Sequence, residues 1–237
     1  TTSAHSALLE THGPYQHGAG FAAANGPPDP ALFGSNLPVD GRRRTNATGL
    51  RNQGSKNIFA SEFGCWVFSS FESMSPTLDP SHWGIHAGMK GERKVNPMSE
   101  RNYPCDNIIE VYFGNAANDW DKVGADVFKK QLWQCMIGQA LWIKSDIETR
   151  RASNTFGTRG WQLNESGPTG GWGSLEYGTP VEGQVLGGRW KPLHYWYRAS
   201  IFADVMAACG RGGRCFVKND SPFAFVGALD VAAVRFA

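Results

Sequence analysis

The chain has 237 residues, 41% of them hydrophobic, which is enough to bury the core of one large domain. A net charge of +2 and a pI near 8.3 exclude the strongly basic surface that nucleic-acid or membrane-surface binding requires. No apolar run reaches the ~20 residues of a membrane span, and the one basic cluster, Arg42-Arg43-Arg44, is too short for a nucleic-acid footprint.

Residues 1–57 are rich in Gly, Pro, Asn and Ser and read as an irregular, loop-rich segment. "NIFASEFG" follows, short and apolar enough for a buried strand, with Glu62 at its end before Gly64. An acid at that place needs either a partner or a chemical task. The next stretch, through residue 104, is dense in turn formers and suits loops with short helical turns.

Residues 120–150 predict the longest helix, with Phe128, Leu132, Met136, Ala140, Ile143 and Ile147 recurring at three- and four-residue steps. Arg150 and Arg151 suit its C-terminal end. "TFGTRGWQLN" (155–164) reads as a strand and is followed by the Gly-rich "SGPTGGWGSLEYG". A second helix starts near "RWKPLHYW", with Pro192 tolerated in its first turn and a stripe of Trp190, Leu193, Tyr197, Ile201 and Val205. Strand, loop, helix, strand, loop, helix is the alternation of parallel βα units, hence an α/β fold. Beyond residue 210, two apolar runs around "KNDSP" predict a β-hairpin opening a further β-domain.

Several chemistries find no support. Five cysteines lack CxxC spacing, which argues against zinc. Cys209 and Cys215 flank a Gly/Arg loop and can pair in an oxidising compartment, and the odd total leaves at least one thiol free. The six histidines show no metal-ligand spacing, and no GxSxG or P-loop pattern occurs. Asn46, Asn164 and Asn219 begin glycosylation sequons. Nine Trp, six Tyr and fourteen Phe serve mostly as core packing, and such flat apolar faces also suit sugar C–H groups.

"ASEFGCWVFSSFESM", "KKQLWQCMIGQALWIKSDIETRR", "FGTRGWQLNESGPTGGWGSLEYGTP" and "GGRWKPLHYWYR" resemble, in order and spacing, the carboxyl half of β-mannosidases of glycoside hydrolase family two. The resemblance covers roughly residues 56–237. It implies the C-terminal half of a (β/α)8 TIM barrel over residues 58–208, and the first strands of an immunoglobulin-like β-sandwich over 209–237. It further implies retaining hydrolysis of terminal β-linked mannose from a glycan, no metal or organic cofactor, and a lysosomal or secreted setting. Glu62 falls at the family's nucleophile position. Trp161, Asn164, Glu165 and Trp172 fall among residues expected to border the sugar.

The family's acid/base lies in an Asn-Glu motif on an upstream strand, and residues 1–61 hold only Glu10, with no preceding Asn. The expectation is therefore a piece of a longer protein whose N-terminal part supplies that acid, inactive and poorly stable by itself. Family members also carry a Tyr on the strand before the nucleophile, absent between Tyr15 and Glu62, and an aromatic where Ser166-Gly167 stands here. Those departures keep open a non-catalytic carbohydrate-binding relative, and an exo-glycosidase for another sugar.

Overall fold

Three parallel strands, β1 (Leu9–His12), β2 (Ile58–Phe63) and β3 (Gly157–Gly160), form one sheet in the order β1-β2-β3. They belong to a computed structural model that describes residues 9–12, 58–87, 105, 108, 109, 113, 122–152, 156–167, 170–178, 180–182, 184–185, 188–209 and 215–232. β1 lies inside the segment expected to be irregular: four residues followed by a Gly- and Pro-rich stretch carry no periodicity that a sequence window can detect. Its register sets His12 opposite Glu62 after an irregularity at Thr11/His12. In β2, Ala60 and Phe63 are both buried although three residues apart; a register shift between them breaks the period of two.

After β2 the chain forms α1 (Phe71–Met74) and two 3-10 turns, Ser75–Thr77 and Pro80–His82, each with a Pro in its first two positions. Helix α2 (Ala125–Ala152) then crosses to β3, and all six residues of its expected stripe are buried. Phe128 meets Phe71 of α1 edge-on, and Gln131 accepts the Ile85 backbone N–H at 3.1 Å. A disulfide between Cys105 and Cys135 ties α2 to a segment 30 residues earlier, and Cys65 is buried in the core. Nothing in the cysteine spacing singled out that bridge.

Beyond β3, β4 (Leu175–Tyr177) pairs antiparallel with β7 (Gly188–Trp190), while β5 (Pro180–Val181) pairs with β6 (Gln184–Val185). Helix α3 (Pro192–Trp196) has Pro in its first turn, as expected, and passes into a π-helical turn, Tyr197–Ile201. Leu193 and Ile201 are buried, but Trp190 is on β7 and Val205 begins a strand, so the helix ends earlier than its apolar stripe suggested.

The C-terminal hairpin differs from its expected place. β8 (Val205–Cys209) pairs with β9 (Cys215–Asn219), so the connection spans 210–214 and "KNDSP" closes β9 instead of turning it. Asn219 Oδ1 accepts from the Ser221 N–H at 3.0 Å and its Nδ2 donates to Phe223 O at 2.7 Å, a side-chain turn that stops the strand. Cys209 and Cys215 face each other at the end of the ladder, and Cys215 is in a disulfide. Residues 220–232 form no strand.

Arg151, in the last turn of α2, docks this hairpin. It donates to Ile201 O at 2.6 Å, to Ala203 O at 2.7 Å and to Asp220 Oδ2 at 2.7 Å. Burial alone would raise the Asp220 carboxyl, but hydrogen bonds from Arg151 and Lys218 outweigh it and hold the group below its ordinary 3.8. The folded state then binds fewer protons than the unfolded one between the two values. That stabilisation is full above the ordinary carboxylate value and is lost as pH falls through the lowered one. Arg151→Ala is expected to cost about 2–3 kcal/mol in urea denaturation. Asp220→Asn is expected to flatten the loss of stability below about pH 4.

Candidate active site

Glu62 is the penultimate residue of the central parallel strand, the end at which α/β sheets present reactive groups. Its side chain is 23% exposed, neither buried in the core nor loose in water. His12 of β1 reaches it: Nε2 lies 3.2 Å from Glu62 Oε1, while Nδ1 lies 3.3 Å from Ser61 Oγ. One imidazole therefore orients two consecutive β2 side chains. His12 had been noticed only for lacking a metal-ligand pattern; its role depends on a strand pairing that no local motif announces.

The segments leaving β2 and β3 converge beside Glu62. Trp161 N donates to Phe63 O at 2.7 Å, and Val67 and Gly171 exchange both backbone hydrogen bonds at 3.0 Å. Gln139 of α2, wholly buried, donates to Cys65 O at 2.8 Å and to Gly173 O at 3.4 Å, clamping both segments. Gly64 sits where a Cβ would strike the Trp161 carbonyl oxygen and lie 2.7 Å from Trp172 Cδ1. Trp161 is 40% exposed and Trp172 packs on the hydrophobic core. Glu62, Trp161 and Trp172 are thus gathered around Phe63-Gly64.

The other two expected sugar-facing residues part company with them. Asn164 is exposed, and its Nδ2 donates to Tyr177 Oη at 2.9 Å and to Glu165 O at 3.0 Å. Glu165 is fully buried and turned inward, its Oε1 paired with Lys191 Nζ, also fully buried at the N-cap of α3. Its carboxylate has no face toward solvent, so it serves the loop and not a ligand. Burial pushes the Glu165 carboxyl up, against the pull of the Lys191 charge. Arg159 of β3 is exposed, so its charge stays in water.

Among the described residues no group of three or more His, Cys, Asp or Glu can hold a metal ion, and no helix is long and apolar enough to cross a membrane.

No family model matches the sequence. The chain is 28% identical over 162 residues to the β-mannosidase of Bos taurus, a stretch covering 64% of this chain and 16% of that protein. Over the same length it is 29% identical to the β-mannosidase of Capra hircus, with the same coverage. A β-D-mannosidase from Dictyoglomus thermophilum superposes with a TM-score of 0.46 and 20% identity over 69% of this chain and 18% of that one. The chain thus spans about 16% of the length of the curated relatives it matches.

Removing one member of the Glu165–Lys191 pair strands the other charge in the core. Lys191→Met is expected to cost about 3–5 kcal/mol in chemical denaturation, and Glu165→Gln added to it is expected to recover most of that loss. Over those 162 residues the chain is thus similar to mammalian β-mannosidases.

Proposed function

We propose that this chain carries the nucleophile of a retaining exo-β-mannosidase of glycoside hydrolase family two, and that Glu62 is that nucleophile. The observation that carries the reading is Glu62 at the end of the central parallel strand, held by His12 and flanked by the converged Trp161 and Trp172 segments. Similarity to mammalian β-mannosidases over 64% of the chain supports mannose as the sugar and a glycan as the substrate.

In the first step the Glu62 carboxylate attacks the anomeric carbon. The C1–O bond to the leaving group breaks, and its electron pair stays on the departing oxygen, which takes a proton from an acid. In the second step water, deprotonated by the same group, attacks C1 and releases Glu62, so the configuration is retained. His12, hydrogen-bonded to Glu62, positions the carboxylate. Trp161 offers its exposed face to the sugar.

The second carboxyl of a retaining site stands about 5–5.5 Å from the first. Glu165, inside an Asn-Glu pair like the family's, is buried against Lys191 and is no proton donor. The acid/base is assigned to polypeptide outside these 237 residues, and the three parallel strands to the C-terminal part of a TIM barrel. The Cys105–Cys135 disulfide fits a secreted or lysosomal protein.

One observation favours a second reading, a carbohydrate-binding relative without turnover. Ser166-Gly167 stands where the resemblance expects an aromatic, and an added Cβ at Gly167 would meet nothing within 4 Å.

The test is turnover of an aryl β-mannoside by the chain joined to its upstream polypeptide. Glu62→Gln is expected to lower kcat by more than about a thousandfold. Unchanged turnover in that variant removes Glu62 from the chemistry, and calorimetric mannose binding without turnover in the parent selects the second reading. His12→Ala is expected to lower kcat with little change in KM, and His12→Gln, which keeps a donor, to restore part of it.

A further inference from the structure

A groove of about 890 Å3 opens between α1, α2, the β4–β7 ribbon and α3, and none of the Glu62 cluster lines it. Phe71, Leu132 and Met136 contribute its apolar surface. Its aromatic surfaces are left to solvent: Trp133, Trp190 and Tyr195 are all exposed, and the last two meet edge-on with centroids 5.0 Å apart. Exposed aromatic faces grouped in a concave site are a ligand surface more often than a resting one.

The charges in the groove are unbalanced. Lys129 lies 4.9 Å over the Phe71 ring and Arg198 lies 5.5 Å over the Trp190 ring. Among the described residues neither makes a hydrogen bond or an ion pair, so both keep their N–H groups for a ligand. Arg189 donates Nη2 to Ser73 Oγ at 2.6 Å, while its buried Nε makes no hydrogen bond and stands 3.6 Å from Glu176 Oε2. Two carboxylates oppose these three cations, and one is already satisfied. Glu176 is buried and accepts from Ser70 N at 2.8 Å, Ser70 Oγ at 2.6 Å and Ser73 Oγ at 2.6 Å. Among the described residues that line the groove, Glu72, exposed in α1, is the remaining carboxylate beside Lys129 and Arg198.

We propose that this groove binds an anionic carbohydrate, a sugar chain bearing a sulfate or phosphate. Trp190 and Tyr195 stack on ring faces, and Arg198 and Lys129 take the anionic group. An arginine fork matches two oxygens of such a group, and a low-dielectric aromatic wall strengthens the bond. The inference rests on the reading of the chain as glycan-active and adds a second site, which holds a part of the glycan on which Glu62 does not act.

The experiment is calorimetric titration of the chain joined to its upstream polypeptide and carrying Glu62→Gln, so that turnover cannot enter the result. The probes are neutral mannotetraose, its sulfated and phosphorylated forms, and inorganic sulfate and phosphate alone. The charged tetrasaccharides are expected to bind at least about tenfold more tightly than the neutral one and than either free anion, the strength of one charge-assisted hydrogen bond. Which of the two charged forms binds more tightly identifies the group. Arg198→Glu and Lys129→Glu, both at the surface, are each expected to remove that difference without changing the circular dichroism spectrum. Trp190→Ala is expected to weaken all the sugars. Equal binding of the neutral sugar, full affinity for a free anion, or an undiminished preference in Arg198→Glu overturns the proposal. Charge preference that persists while Glu62 variants retain full turnover sinks the catalytic reading and leaves the groove standing.

Discussion

Close backbone approach between the segments that follow β2 and β3 is the constraint on which the rest of this structure depends. The Phe63–Trp161 hydrogen bond extends the pairing of β2 and β3 past their ends, and the Val67–Gly171 bridge repeats it one loop later. Such proximity leaves no room for side chains on the inner side. Gly64 meets this demand against Trp161 and Trp172. Gly170 meets it with a φ of +124° and Val67 O at 2.5 Å from where a Cβ would stand. Gln139 satisfies two of the carbonyls that the lacing buries, which is why this polar side chain is buried on α2.

The buried charges obey the same logic. Lys191 caps α3 while pairing with Glu165, and the Lys191 N–H donates to Ser174 O at 2.9 Å, so one residue joins the third-strand loop to the next helix. Arg150 is fully buried beside Asp146 at 3.1 Å, with its guanidinium 4.7 Å over the Phe63 ring. Burial lowers it to about 10, which leaves it charged at neutral pH. Pairs of this kind add little net stability against an apolar alternative, because desolvation offsets their attraction. What they contribute here is direction: Lys191 holds the loop after β3 through Glu165, and Arg150 lies against Phe63 at the end of β2.

The two surfaces that result differ in chemistry. Around Glu62 a carboxylate, an imidazole and a half-exposed indole face a strand end. In the groove beyond β4 and β7, cations over aromatic rings surround a carboxylate that the serines of α1 and its preceding residue have already engaged. Glu176 belongs to neither chemistry; opposite Arg189 in the ladder, it fastens the ribbon to α1.

Local pattern alone determined the long helix, whose six apolar residues at three- and four-residue steps are all buried. It also determined the β2 strand ending in Glu62 and the start of α3 at Pro192, because period and proline geometry are properties of consecutive residues. It did not reveal β1, whose four residues become a strand only by pairing with β2, nor His12 as the partner of Glu62. The Cys105–Cys135 bridge and the groove were equally hidden, since each joins residues far apart in the chain. Glu165 shows the difference most sharply. Asn164-Glu165 has the local form of a functional pair, yet the direction of its carboxylate was decided by Lys191, 26 residues away, because a buried acid turns toward whichever charge the tertiary fold brings to it.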